Sequence, residues 1–336
     1  MPPLKSPYTP TTPAPSTSTP STSTFPAPTA PTNYESNPKL KAAVFQRLHP
    51  EVYLSKYLAE GVRVDGRSLD DDDDDDDDET ERNGFRSVYV NVGSISTADG
   101  SALVRLGDTT IVCGVKAEIS EPELDNPNEG FLVPNLDLPA MCSPKFKPGP
   151  PSDEAQILSE RLNQALVASS ILPLSSLCIH RGKAVWTLYV DATCINYDGN
   201  AFDAALLAMV LALKNTKLPE ATYNPETGAT LCSRAKPRSP LALTSIDTLP
   251  VASSFGIFNS KHILPDTTSF EEPLCQSSIS VVLAAKGKIV ALTQYGSVTL
   301  MNAEEGSEQD ALKLCIEKAK KRREVIMKKA FTQTGS

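Results

Sequence analysis

Residues 200–214 read Asn-Ala-Phe-Asp-Ala-Ala-Leu-Leu-Ala-Met-Val-Leu-Ala-Leu-Lys, a helix-forming stretch with apolar side chains on nearly every face. A surface helix shows one apolar stripe, whereas a helix that is apolar all round has to be buried on several sides. A bilayer is not the alternative, because the unbroken apolar run from Ala204 to Leu213 is far shorter than the ~20 residues a membrane span needs. The rest of the chain must therefore supply the elements that enclose this helix.

The flanking patterns provide them. Phe85–Val92 alternates as a strand, and Ser101–Leu106 and Thr109–Ile119 flank Gly107-Asp108, a two-residue hairpin turn. Lys183–Tyr197 is a long strand that Asp198-Gly199 turns into the apolar helix. Between them, residues 120–151 are rich in Pro, Asn and Gly and predict a surface excursion. A helix is expected over Asp153–Leu172, capped by Ser152, with Ile157, Leu158, Leu162, Leu166 and Val167 on its inner stripe. After a connector at 216–240, strands are expected at Leu241–Ile246, Val251–Phe258, Ile279–Ala285 and Lys288–Tyr295, the last two joined at Lys286-Gly287. A closing helix over Glu304–Lys329 completes the order, with Leu312, Cys315, Ile316, Ala319 and Ile326 inward. The succession predicts a mixed α+β domain with helices packed on sheets, its first part at 85–215 and its second at 241–331.

The N-terminal quarter follows other rules. Residues 1–37 are dominated by Pro, Ser, Thr and Ala and cannot bury enough apolar surface to offset ordering entropy, which predicts a disordered head with no secretory leader. Residues 38–68 form an arm, helical over 38–60 with Pro50 suited to a first turn, followed by Arg63-Val64-Asp65-Gly66-Arg67. Residues 69–84 contain an unbroken acidic run, Asp70–Asp78, whose self-repulsion predicts an extended solvated loop. That loop is either a tolerated insertion or a surface that mimics nucleic acid or meets a basic partner. The net charge of −9 argues against general nucleic-acid binding, which relies on Lys and Arg, although nine of the acidic groups sit in this one run.

The chain carries seven cysteines without C-x-x-C spacing and three scattered histidines, so reduced, mostly buried thiols are expected and no metal or cofactor site. Asp191, Asp198, Asp203 and Asp266 are the residue types that hold magnesium, but no spacing requires it. The strand–turn–helix at Tyr197-Asp198-Gly199-Asn200 is where a phosphate cradle belongs, since a helix N-terminus presents free N–H groups and partial positive charge. Here Asp198 and Asp203 flank the turn, and their charges oppose a phosphate. Basic candidates for RNA contact are Lys145, Lys147, Lys183 and Arg105, with no aromatic interleaved in sequence. The run Lys318–Lys329 reads as a solvated helix face or as an RNA contact.

Several stretches together resemble RNase PH-like subunits of the RNA exosome: Asp65-Gly66-Arg67, Val92–Ala102, Leu106–Glu118, Val133-Pro134-Asn135, Phe146–Pro151 and Tyr197–Ala204, covering roughly residues 50–330. The resemblance implies an RNase PH-like fold, with a βαβ core like domain 2 of ribosomal protein S5, an antiparallel meander and a C-terminal helix. It implies a ring of six such domains under three S1/KH-type cap subunits, with RNA threading the pore to a separate catalytic exoribonuclease. Active members phosphorolyse RNA with arginines in the excursion, a Gly-Gly-Ser/Thr phosphate turn and two late acidic residues. In this chain Pro122–Pro151 contains no Arg, Asp198, Gly199 and Asn200 stand as degenerate phosphate-turn positions, and Asp266 has only Ser277-Ser278 where its acidic partner is expected. The resemblance thus points to the inactive branch, a non-catalytic ring subunit in nucleus, nucleolus and cytoplasm. The alternative is an active phosphate-dependent 3′-to-5′ exoribonuclease.

Overall fold

The computed structural model describes residues 38–69, 84–233, 237–245, 248–297, 299–301 and 308–331; the head and the Asp70–Asp78 run lie outside them. The helix expected over 38–60 is two helices, α1 (Pro38–Leu48) and α2 (Pro50–Ala59). Pro50 has no N–H to give the preceding turn and disfavours helical backbone at His49, so the chain starts a new helix there. The chain divides between His49 and Pro50, so α1 and α2 belong to different compact units.

The first sheet contains β1 (Val88–Val92), β2 (Gly100–Leu106), β3 (Thr109–Ser120), β4 (Phe131–Asp137), β5 (Cys178–His180) and β6 (Ala184–Asn196). Its order is β1-β2-β3-β6-β4, with β5 also beside β6. The Gly107-Asp108 turn joins β2 to β3 as expected, pairing Leu106 with Thr109. β4 lies inside the stretch expected to be an irregular excursion and runs parallel to β6, Phe131 opposite Thr187 and Asp137 opposite Thr193. Pro134 disguises it in the sequence, but an edge strand tolerates a residue without an N–H.

α3 (Asp153–Ser169) is capped by Ser152, whose hydroxyl accepts from the Ala155 N–H. Its inner stripe is Ala155, Leu162, Ala165 and Leu166, while Ile157 and Val167 are 54% and 57% exposed, contrary to the stripe drawn from sequence. α4 (Ala201–Asn215) is the apolar helix, and every residue from Ala204 to Leu213 is buried. It touches β2, β3 and β6 of the first sheet, β11 (Val251–Phe258) of the second, and α3.

Between the sheets, β7 (Lys217–Leu218) pairs with β10 (Ser239–Pro240), and β8 (Ala221–Tyr223) with β9 (Thr230–Cys232). Residues 241–245 form no strand; Leu241 and Thr244 instead donate their N–H groups to Thr216 and Ile171 carbonyls. The second sheet adds β12 (His262–Pro265), β13 (Ser277–Leu283) and β14 (Ile289–Tyr295) in the order β12-β11-β13-β14. β12 escapes a sequence reading because its hairpin turns on Asn259 and Ser260, both at positive φ, without the glycine that usually marks such a turn. A short pair, β15 (Thr299–Met301) and β16 (Glu308–Asp310), precedes α5 (Ala311–Ile326). The closing helix therefore begins at Ala311, capped by Asp310, and packs Ala311, Cys315 and Ala319 on the second sheet with Phe85 and Phe255.

A buried polar network binds these parts. Arg86, in the lead-in to β1, donates from Nε and Nη2 to the two carboxylate oxygens of Asp266, each at 2.8 Å, and from Nη1 to the Asp198 carbonyl at 2.8 Å. Arg63 is 1% exposed and spends its donors on the Glu271 carboxylate and on the carbonyls of Gly84, Pro265 and Asp266. Arg322 of α5, counted with the solvated basic run in the sequence, is 4% exposed, donates to the Arg86 carbonyl at 2.8 Å and lies over the Phe85 ring. Asp203 on α4 accepts from the Ser254 N–H at 2.8 Å and its hydroxyl at 2.7 Å, tying α4 to β11.

Replacing one member of a buried ion pair strands the other charge, at a cost of roughly 3–5 kcal/mol. Arg86→Met is expected to lower stability by about that amount, read from urea midpoints. Burial, reinforced by the Asp266 charge, pushes Asp203 up to about 6 against hydrogen bonds from Asn200 and Ser254, from an ordinary value of 3.8. The folded state therefore holds this proton more tightly. Its contribution to stability is complete below the unfolded value and is lost as pH rises through about 6. The stability of the native chain relative to Asp203→Asn is expected to fall between pH 4 and pH 7 (about the two sides of the titration), measured by denaturation at both.

Candidate functional site

The turn between β6 and α4 is where the sequence placed an anion cradle. Gly199 has φ +79°, and a Cβ there would lie 2.5 Å from the Thr267 carbonyl oxygen and 2.6 Å from the Thr268 carbonyl carbon, so only glycine lets that segment cross the turn. Asn200, at φ +53° and 5% exposed, follows it. Its Nδ2 donates to Asp266 at 2.6 Å and Asp203 at 2.8 Å.

The cradle is occupied from within. Glu272 accepts the Asn200 N–H at 2.7 Å through Oε1 and the Tyr197 hydroxyl at 2.6 Å through Oε2. A carboxylate of the chain itself thus stands where the N-terminus of α4 would otherwise receive an external anion. The acids singled out from sequence act elsewhere. Asp198 turns toward the Ser269 hydroxyl (2.7 Å) and Arg86 (3.4 Å), and Asp203 toward Ser254. Burial raises Glu272 above the ordinary carboxylate range, and burial together with Glu272 raises Tyr197 well above the phenol range, so the tyrosine stays a proton donor to its carboxylates. Glu272 could be found in the sequence only by knowing that 272 crosses back to 200.

Beside this turn lies a cavity of about 240 Å³ lined by Glu154, Arg161, Tyr197, Asn200, Glu272 and Ser278 among others. Asp266, which matches one acidic position of the family, is not among the lining residues; it is fully buried and paired with Arg86. Ser278 does reach the cavity, while Ser277 is buried and donates to the Ser297 carbonyl. Asp191 lies apart on β6, exposed and 3.5 Å from Asn135 Nδ2. Among the described residues no cluster of three or more His, Cys, Asp or Glu is arranged to hold a metal ion.

The basic candidates do not converge on one patch. Lys145 pairs with Glu154 at 2.7 Å and stands 5.3 Å over the Tyr197 ring, which Phe146 meets edge-on at 5.3 Å. Lys147 is exposed on the same loop. Lys183 sits before β6, at the far end from Tyr197, and β6 is 13 residues long. At ~3.3 Å per residue that is a separation of roughly 40 Å. Arg105 is bonded to the Gly107 carbonyl at 2.8 Å and lies at the Tyr197 end of the sheet. Its direct cross-strand partner is Tyr89, 63% exposed, so an aromatic does accompany this cation. Strand register makes that pairing; sequence distance hides it.

The chain matches the 3′ exoribonuclease family, domain 1, over residues 84–219 and domain 2 of the same family over residues 248–322. It is 40% identical over 278 residues to the exosome complex component rrp43 of Schizosaccharomyces pombe, covering 83% of this chain and 94% of that one. It is 36% identical over 234 residues to the exosome complex component Rrp42 of Methanothermobacter thermautotrophicus, covering 70% and 79%. Among solved structures, a chain of the Archaeoglobus fulgidus exosome with RNA bound to the active site superposes with a TM-score of 0.65 at 29% identity, covering 82% of this chain and 97% of that one. An archaeal exosome core chain shares the fold with a TM-score of 0.63 at 24% identity, covering 86% and 98%. With both domains matched in order along the two sheets, the chain belongs to the 3′ exoribonuclease family and has the RNase PH-like fold.

Proposed function

We propose that this chain is a non-catalytic subunit of an RNA exosome ring, supporting 3′-to-5′ RNA processing and degradation by building the RNA channel. The observation that carries the loss of chemistry is Glu272, whose carboxylate takes the Asn200 N–H at the head of α4. Phosphorolysis depends on positioning a phosphate and stabilising its charge, and a fixed carboxylate in that place works against both. The absence of arginine from Pro122–Pro151 removes further phosphate ligands.

The assembly role rests on the relatives, which are named exosome components, and on surface chemistry. Among the described residues both sheets keep an open edge strand, β1 and β14, and these carry exposed Tyr89, Ile289, Leu292 and Tyr295. Open edges with apolar groups are satisfied by neighbours. The partners in this reading are the other RNase PH-like ring subunits, S1/KH cap subunits, an associated catalytic exoribonuclease and RNA, in nucleus, nucleolus and cytoplasm. Lys145, Lys147, Lys183 and Arg105 remain the proposed RNA contacts, with Tyr89 beside Arg105 added by the register.

The tagged full-length chain is expected to co-purify stoichiometrically with several different RNase PH-like chains, read by native mass spectrometry. The chain alone, given RNA and inorganic phosphate, is expected to release no nucleoside diphosphates. A homo-oligomer that releases them would replace this reading with the active enzyme.

A further inference from the structure

Arg161 lies two turns along α3 from Glu154, on the stripe that faces the cavity beside Tyr197. Its guanidinium stacks on the Phe202 ring at 4.2 Å and stands 5.8 Å from the centre of the Tyr295 ring, which fixes its plane. Nε and Nη2 are both buried and meet no acceptor among the described residues. These two nitrogens form the side-on fork of arginine, whose parallel N–H bonds match the two oxygens of a planar oxyanion. Glu154, the nearest acid on the stripe, is turned to Lys145 and the Tyr197 hydroxyl instead. Burial pulls the Arg161 pKa down, with only Tyr295 and Asp203 acting to hold the charge.

Asn200, which also lines this cavity, has a second polar atom without a partner among the described residues. Asn200 is 5% exposed, and while its Nδ2 is held by two carboxylates, its Oδ1 is buried without a donor. The site therefore offers a paired donor for an oxyanion and an acceptor for an N–H or O–H. Buried groups of this kind destabilise the fold until they are satisfied. The size of the cavity, about 240 Å³, falls below the ~300–1,000 Å³ usual for drug-sized ligands and suits one side chain or a small acid. Charge chooses among oxyanions. Glu154 and Glu272 line the cavity and the Asp203 charge acts on Arg161 through space, so a phosphate near −2 is opposed more strongly than a carboxylate at −1.

We propose that this cavity is a carboxylate-binding site, in which Arg161 grips a planar carboxylate through Nε and Nη2 and Asn200 Oδ1 receives a hydrogen bond from the group beside it. The chemistry has two sources, an acidic residue or C-terminus of a neighbouring chain, or a free small acid; the first rests on the ring-subunit reading, the second does not. Two arms separate them. In the first, the assembly carrying Arg161→Lys in the full-length chain is treated with a water-soluble carbodiimide, which condenses an amine and a carboxylate to an amide with loss of water. An amide from position 161 to an acidic group of another chain, located by mass spectrometry, assigns the protein source. In the second, the full-length chain alone is melted in acetate, phosphate or chloride at matched ionic strength, beside Arg161→Gln. A melting shift specific to acetate and lost in Arg161→Gln assigns the free acid. Amides confined to this chain's own acids, with no acetate-specific shift or with phosphate acting more strongly than acetate, overturn the proposal. Failure to recover any assembly sinks the ring reading alone, because the second arm still decides the site.

Discussion

The pairing of Arg86 with Asp266 is the contact on which the arrangement of both sheets depends. Removing two charges from water is costly, and their attraction offsets that cost only when the geometry is good and the remaining donors are satisfied. Here they are. Arg86 uses the Nε–Nη2 edge of its guanidinium on Asp266 and sends its other N–H groups to Thr109, Asp198 and Gly199. Arg63 and Arg322 close the network from the N-terminal arm and from α5. Segments from six places in the chain are thereby fixed to one another by directional bonds, where apolar packing alone would permit sliding.

That network also explains what was legible beforehand. The enclosed α4, the β2–β3 hairpin, β6 and β11 follow from local pattern, because period and turn chemistry are local. The α+β class followed from the order of these segments, whereas the RNase PH-like fold was implied by the family resemblance of the motifs they carry. The misses share another cause. β4 was hidden by Pro134, tolerated because the strand is an edge; β12 by a hairpin that turns on Asn259 and Ser260; and of the strand expected over Leu241–Ile246, the described residues 241–245 instead give the Leu241 and Thr244 N–H groups to Thr216 and Ile171. At the candidate site Asp198, Gly199 and Asn200 marked the correct turn, whereas Glu272, Arg161 and Tyr89 depend on crossings between distant segments. Asp266 carried the opposite lesson: an acid in a suggestive position proved to be half of a structural ion pair.

The strand–turn–helix keeps the geometry of an anion site while reversing its sign. Glu272 accepts the Asn200 N–H at the head of α4 and the Tyr197 hydroxyl, Lys145 covers them from the loop, and Phe146 braces the ring. A site of this kind is stable because the helix terminus is satisfied at all times and needs no ligand to complete it. In the non-catalytic reading proposed above, the change from chemistry to scaffold needs few substitutions, since the strand–turn–helix is retained and a carboxylate of the chain fills its head.

The burial of α4 on all its faces has a temporal consequence. Its first sheet precedes or adjoins it, but β11 and Arg322 lie further along the chain, beyond the connector. During synthesis α4 leaves the ribosome with one flank uncovered, and stays so until the second sheet and closing helix emerge. Such long-range closure is slow and leaves apolar surface open to other chains meanwhile. The nascent polypeptide is therefore a natural client for holding factors, and truncation anywhere before α5 yields a sticky fragment rather than a smaller working domain.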